Sequence, residues 1–213
     1  PRVGVPFSLF FNYYPMINTI LIAVIAVMAF TSYTRNMTWK NEYTLWKDVV
    51  KKSPDKATPH VNLGNVLVRR NAVDYAADEF NLALKVNPRD VRAINGLAVV
   101  YAKKGDFDEA IRLFQILAKD KTKDPGFHSN LGVMYMQKGL IDNAIKEFNA
   151  AIKADPDFSD AYSNLGIAYR KKGLLKAAKE ELEKALRLNP EQRQARRNLN
   201  EVQELMQAGA RDH

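Results

Sequence analysis

Three histidines, His60, His128 and His213, are the side chains of this 213-residue sequence best suited to move a proton or hold a metal near neutral pH. Their spacing argues against both. His213 is the last residue, while His60 and His128 share one phase of a 34-residue repeat, where Ile94 and Tyr162 stand in the other copies. A position that accepts Ile packs between elements, so these two histidines are expected to be structural. The sequence has no HExxH, no glycine-rich phosphate loop and no serine nucleophile elbow. With no cysteine there is no thiolate nucleophile, thiolate metal site or disulfide framework. No enzyme activity, metal or cofactor is expected of these residues. What recurs is binding chemistry. Asn62, Asn130, Asn164 and Asn198 share one phase of the repeat, and Arg69, Lys103 and Lys171 share another. An asparagine amide both donates and accepts, so a row of them can follow an extended peptide backbone whatever its sequence. A row of cations suits an acidic ligand.

The repeat that must position these side chains is clearest from Pro125 to Gln192. Leu131, Gly132, Tyr135, Ala144, Phe148, Ala151 and Pro156 occupy positions 7, 8, 11, 20, 24, 27 and 32 of one copy. Leu165, Gly166, Tyr169, Ala178, Leu182, Ala185 and Pro190 occupy them in the next. Such a period marks stacked helix-turn-helix units, none able to bury its apolar face alone. The small residues let two helices approach, the large ones fill between them, and the proline ends the second helix. Residues 57–90 repeat the pattern with Leu63, Gly64, Leu67, Ala76, Phe80, Ala83 and Pro88. Residues 91–124 do so with Leu97, Ala98, Tyr101, Ala110, Phe114 and Leu117, but Thr122 replaces the proline and a charged run, Lys119 to Lys123, surrounds it. A longer second helix or a looser turn is expected there. Gly105 to Glu109 reads as a glycine turn followed by a capping box of Asp106 and Glu109.

These residues resemble the tetratricopeptide repeat (TPR). The resemblance implies an all-α, right-handed TPR superhelix, an α-solenoid, with full repeats at 57–90, 91–124, 125–158 and 159–192. A half repeat at 38–54, with Tyr43, Trp46, Val49 and Val50 on one helical face, would cap the amino-terminal end. A helix over 193–207 would cap the other, leaving 208–213 to fray. In such a stack the first helices line a concave groove through positions 2, 5, 6, 9, 12 and 13. That places Asn62, Asn65, Arg69, Asn95, Lys103, Asn130, Asn164, Arg170, Lys171 and Asn198 as candidate peptide-binding residues. Gly96 interrupts the asparagine row in the second repeat and Gln137 the basic row in the third. The row resembles the asparagine ladder in the TPR groove of O-GlcNAc transferases. The carboxylate clamp of chaperone-tail-binding TPR domains is missing, because Val61, Gly96 and Gly126 stand where Lys or Asn would be needed. Two structural alternatives stay open. The asparagines could bond within the repeats, and the cations could serve the negative ends of their helices.

Residues 16–34 are expected to be one amino-terminal transmembrane helix. Met16 to Tyr33 carries no charge and would reach about 27 Å. Tyr13 and Tyr14 before it, with Tyr33, Arg35 and Trp39 after it, fit interfacial anchors, and residues 1–15 fit a juxtamembrane stretch or the end of an earlier span. The lipid bilayer is then an expected partner. Lysines and arginines after the span place the repeats in the cytoplasm by the positive-inside rule. A second resemblance opposes this. Arg35-Asn36-Met37-Thr38-Trp39-Lys40-Asn41-Glu42-Tyr43-Thr44-Leu45-Trp46, with Pro54 and His60-Val61-Asn62-Leu63-Gly64, looks like the junction in multi-span O-mannosyltransferase-like proteins with TPRs. It implies a periplasmic or lumenal substrate-presenting arm of a membrane glycosyltransferase. A structural subunit of a membrane complex is the third alternative. The formal charge of +8 favours an acidic protein partner. Nucleic acid is disfavoured, since no aromatic row stands ready to stack bases.

Overall fold

The computed structural model describes residues 19–33, 41–119 and 124–211, all helical elements and their turns, with no strand among them. The chain divides into two compact parts, Pro1–Pro54 and Asp55–His213.

In the first part, helix α1 covers 19–33 and α2 covers Glu42–Lys52. The expected membrane span is not upheld: among the described residues no helix is long and apolar enough to cross a membrane. As described, α1 has 15 residues. The membrane localisation is corrected with it, and the bilayer as a partner is left without support. Tyr33 is exposed in the last turn of α1, and Tyr13, Tyr14, Arg35 and Trp39 lie outside the described residues. In α2 the Asn41 side chain caps the amino terminus by accepting from the Thr44 N–H at 3.1 Å. Tyr43, Trp46, Val49 and Val50 are half-buried, as their spacing on one face requires.

The second part holds four helix pairs and a closing helix. The pairs are α3 (Ala57–Arg69) with α4 (Val73–Val86), and α5 (Val91–Lys104) with α6 (Phe107–Ala118). They continue as α7 (Pro125–Gln137) with α8 (Ile141–Ala154), and α9 (Ser159–Lys171) with α10 (Leu175–Leu188), before α11 (Arg193–Arg211). From α3 to α11 each helix packs on its neighbours within this part, and α3 also meets α5, α7 meets α9, and α9 meets α11. This is the solenoid expected of the period.

Local chemistry sets each turn. Within a pair, the helix ends at position 15 in the left-handed region, with Gly105, Gly139 and Gly173 at φ 83°, 75° and 80°. Asn71 takes that place in the first repeat at φ 59°, as the non-glycine residue best able to do so. The next N–H then reaches back five residues, as Leu174 does to the Tyr169 carbonyl at 2.9 Å. Between pairs, Asn87, Asp155 and Asn189 accept from the N–H two residues on, at 3.0–3.2 Å, and Pro88, Pro156 and Pro190 stop the helix.

The second repeat has Lys121-Thr122 in that place, within residues 120–123 that lie outside the described set. Its second helix is shorter than its counterparts, not longer: α6 has 12 residues against 14 in α4, α8 and α10. The charged run offers no apolar side chain to bury, so nothing favours another turn. The expected capping box also fails. Asp106 makes no side-chain cap bond, and Glu109 pairs with Arg112 at 2.8 Å instead. At the carboxyl end, α11 extends to Arg211 rather than fraying after Gln207. Ala208 and Ala210 are strong helix formers there.

The core lies between the two layers of helices. Ala76, Ala110, Ala144 and Ala178 at position 20 are fully buried, as are Phe80, Phe148 and Leu182 at position 24, with Phe114 at 1%. The first turn of α5 is fixed by Asp90, which accepts from the N–H groups of Arg92 (3.0 Å) and Ala93 (3.3 Å). The Arg92 guanidinium holds the Asp90 carboxyl below its ordinary value. A lowered folded value means the cap contributes fully above a pH of about 4 and is lost as pH falls through the folded value. Replacing Asp90 by Ala should therefore cost about 1 kcal/mol at pH 7. The gap in melting temperature between variant and parent should close in acid, and a constant gap from pH 7 to 3 would contradict it.

Candidate functional site

Every candidate groove residue lies on the first helix of its repeat or on α11, but their surroundings separate them into two groups. Asn164 donates through Nδ2 to the Ser129 hydroxyl at 3.1 Å and ties α9 to α7. Asn198 is only 3% exposed and donates to the Gln194 carbonyl of its own helix at 2.8 Å. Arg170 pairs through Nη1 with Glu201 of α11. These three are engaged within the protein. Asn62 is half-buried, while Asn65 and Asn130 are exposed; none of the three has a side-chain partner among the described residues. Gly96 interrupts the row for a steric reason: a Cβ there would sit 2.3 Å from the Phe80 ring. Beside it, Asn95 is half-buried, with its Oδ1 enclosed and no donor against it.

The cations also divide. At position 14, Lys104, Lys138 and Lys172 each reach an aspartate of the preceding repeat, Asp74 (2.9 Å), Asp108 and Asp142 (2.6 Å). Asp74 lifts the Lys104 ammonium above its ordinary value, and Lys172 lowers the Asp142 carboxyl. This ladder was legible as an Asp-to-Lys spacing recurring with the repeat, and it ends where Lys176 replaces the aspartate in the fourth copy. Its members are exposed, so each rung stabilises little. Position 13 is different. Arg69, Lys103 and Lys171 are exposed, and Lys103 and Lys171 have no acidic partner among the described residues.

The histidines take structural places. His60 Nδ1 meets Glu79 Oε2 at 2.6 Å and His128 Nδ1 meets Glu147 Oε2 at 2.8 Å. Both acids stand at position 23, where the second repeat pairs Ile94 with buried Leu113. In the fourth repeat Tyr162 stands at position 4 and donates to the Pro156 carbonyl at 3.0 Å. Burial, then the charge of Glu181, pushes its phenol up. No group of His, Asp or Glu arranged to hold a metal occurs among the described residues.

Comparison with known proteins falls on these same helices. Residues 61–126 and 159–192 match models described as tetratricopeptide repeat, and 132–173 match one described as TPR repeat. No curated protein matches the chain. Among solved structures, a thermophilic TPR protein of Thermus thermophilus is similar at 24% identity and TM-score 0.62, over 70% of this chain and 82% of its own. PilF of Pseudomonas aeruginosa is similar at 21% and 0.65, over 71% and 69%. MamA from Desulfovibrio magneticus is similar at 17% and 0.60, over 72% and 98%. At these identities the likeness speaks for the fold alone. Together with the helix pairs, buried alanines and left-handed turns, these matches show that the chain carries tetratricopeptide repeats over residues 61–126 and 132–192.

Proposed function

We propose that this protein is an interaction scaffold whose first helices grip an extended, acidic segment of a partner protein. The observation that carries this reading is the partition of its cations. The position-14 lysines are neutralised by the neighbouring repeat, whereas Lys103 and Lys171 at position 13 are exposed without an acidic partner. Asn62, Asn65 and Asn130 add open amides able to bond a peptide backbone from either polarity. An extended segment suits such a surface because its main-chain groups are unpaired before it binds.

The test uses immobilised unstructured peptides rich in glutamate, alongside the same peptides with Gln for Glu. The acidic set should retain the protein and release it as salt rises, since exposed charge pairs are screened. Changing Lys103 and Lys171 together to Glu should weaken retention by about tenfold. Equal retention of the two sets, or none of the acidic one, would overturn the proposal.

A further inference from the structure

We infer that the binding site is centred on one boundary of the solenoid, the seam between α5 and α7, where Asn95, Asn130 and Lys103 receive the peptide. This rests on the groove reading above and locates the site within it.

The other boundaries between first helices are stitched. Arg92 of α5 donates to the Thr58 hydroxyl of α3 at 3.2 Å. Asn164 of α9 donates to Ser129 of α7. Arg170 and Glu201 join α9 to α11, and Gln192 donates to Asp160 at 2.7 Å. Direct packing of α3 on α5, α7 on α9 and α9 on α11 accompanies these bonds. Between α5 and α7 no side-chain bond occurs among the described residues, and any direct packing is slighter than at those seams. The two are joined through α6, where Gln115 donates to the Tyr135 hydroxyl at 2.9 Å.

The residues at that seam keep unused bonding capacity, as Arg170 Nε and Gln192 Oε1 also do where α9 meets α11. Asn164 at position 6 satisfies Ser129 at position 5 of the repeat before it. The homologous pair is Asn130 with Asn95, and here the bond is not made. Asn130 is exposed, and Asn95 keeps an enclosed Oδ1 without a donor. An enclosed acceptor left unpaired is costly, and turning the half-buried Asn95 amide outward to meet an incoming N–H would relieve it. A peptide backbone laid across the seam supplies an N–H for Asn95 and a carbonyl for the Asn130 amide. Lys103, two turns along α5 and exposed, meets an acidic side chain of the same segment. Further along the groove Asn164, Asn198 and Arg170 are engaged within the protein, which leaves Lys171 there to meet a more distant acidic side chain of the same segment.

The experiment selects binders from a displayed library of random linear peptides against the whole chain, then measures the enriched peptides on variants. Acidic peptides should be enriched, and Asn130→Asp, an exposed change that leaves the fold intact, should weaken them about tenfold by placing a carboxylate against them. Asn95→Ala should do the same, with the melting curve checked for folding, while Asn164→Ala should leave affinity within about twofold. No enrichment of acidic linear peptides would sink the groove reading itself. Enriched peptides that are indifferent to Asn130→Asp and Asn95→Ala but sensitive to Asn164→Ala would leave that reading standing and overturn the seam.

Discussion

Replacing Phe80 by Ala is expected to destabilise the repeat region by about 3–5 kcal/mol, within the range for truncating a buried aromatic side chain. The ring is fully buried and lies against two first helices at once. A Cβ on Gly64 of α3 would stand 2.7 Å from it, and one on Gly96 of α5 would stand 2.3 Å away. The side chain therefore joins α4 both to its own partner and to the next repeat. Because a solenoid is held by nearest-neighbour interfaces, the loss should be local in extent. Amide exchange should accelerate across α3 and α4 while α7 to α10 keep their protection. Uniform loss of protection throughout Asp55–His213, or a change below about 1 kcal/mol, would contradict this account of the Phe80 contact.

How far the sequence could be read follows from which interactions repeat. Position 20 takes alanine four times because α-helices meet there, and all four are buried. That pattern alone specified the helix pairs, their order and their turns. The failures lie where a neighbour outside the local pattern decides the outcome. Asn164 and Asn130 look identical in the repeat, yet one meets a serine hydroxyl and the other meets none. Lys103 and Lys104 are adjacent, yet only the second reaches an aspartate thirty residues back. The apolar run before Tyr33 does form a helix at 19–33, but among the described residues no helix is long and apolar enough to cross a membrane. Asp106 and Glu109 matched a capping motif, but Arg112 one turn on took the glutamate.

Restoring the repeat pattern at its most visible interruption should make the protein worse. Gly96→Asn would complete the asparagine row, and by sequence alone it reads as an improvement. Gly96 is instead the floor against which the Phe80 ring lies, with Cε1 and Cζ both 2.3 Å from where a Cβ would be built. Real side chains do not approach so closely, so the ring or the α4–α5 interface must shift. Overpacking of this kind costs about 1–3 kcal/mol, occasionally more. An added amide that is enclosed without partners would raise the cost. Gly105 provides the contrast: it too is a glycine of the second repeat, but its surroundings are open and its requirement is a φ of 83°. Pairing Gly96→Asn with Phe80→Leu, which removes ring volume, should recover part of the stability lost in the single Gly96 variant, because the two side chains compete for the same space. Strictly additive losses in thermal melts would show that the Phe80 ring is not what excludes asparagine from the second repeat.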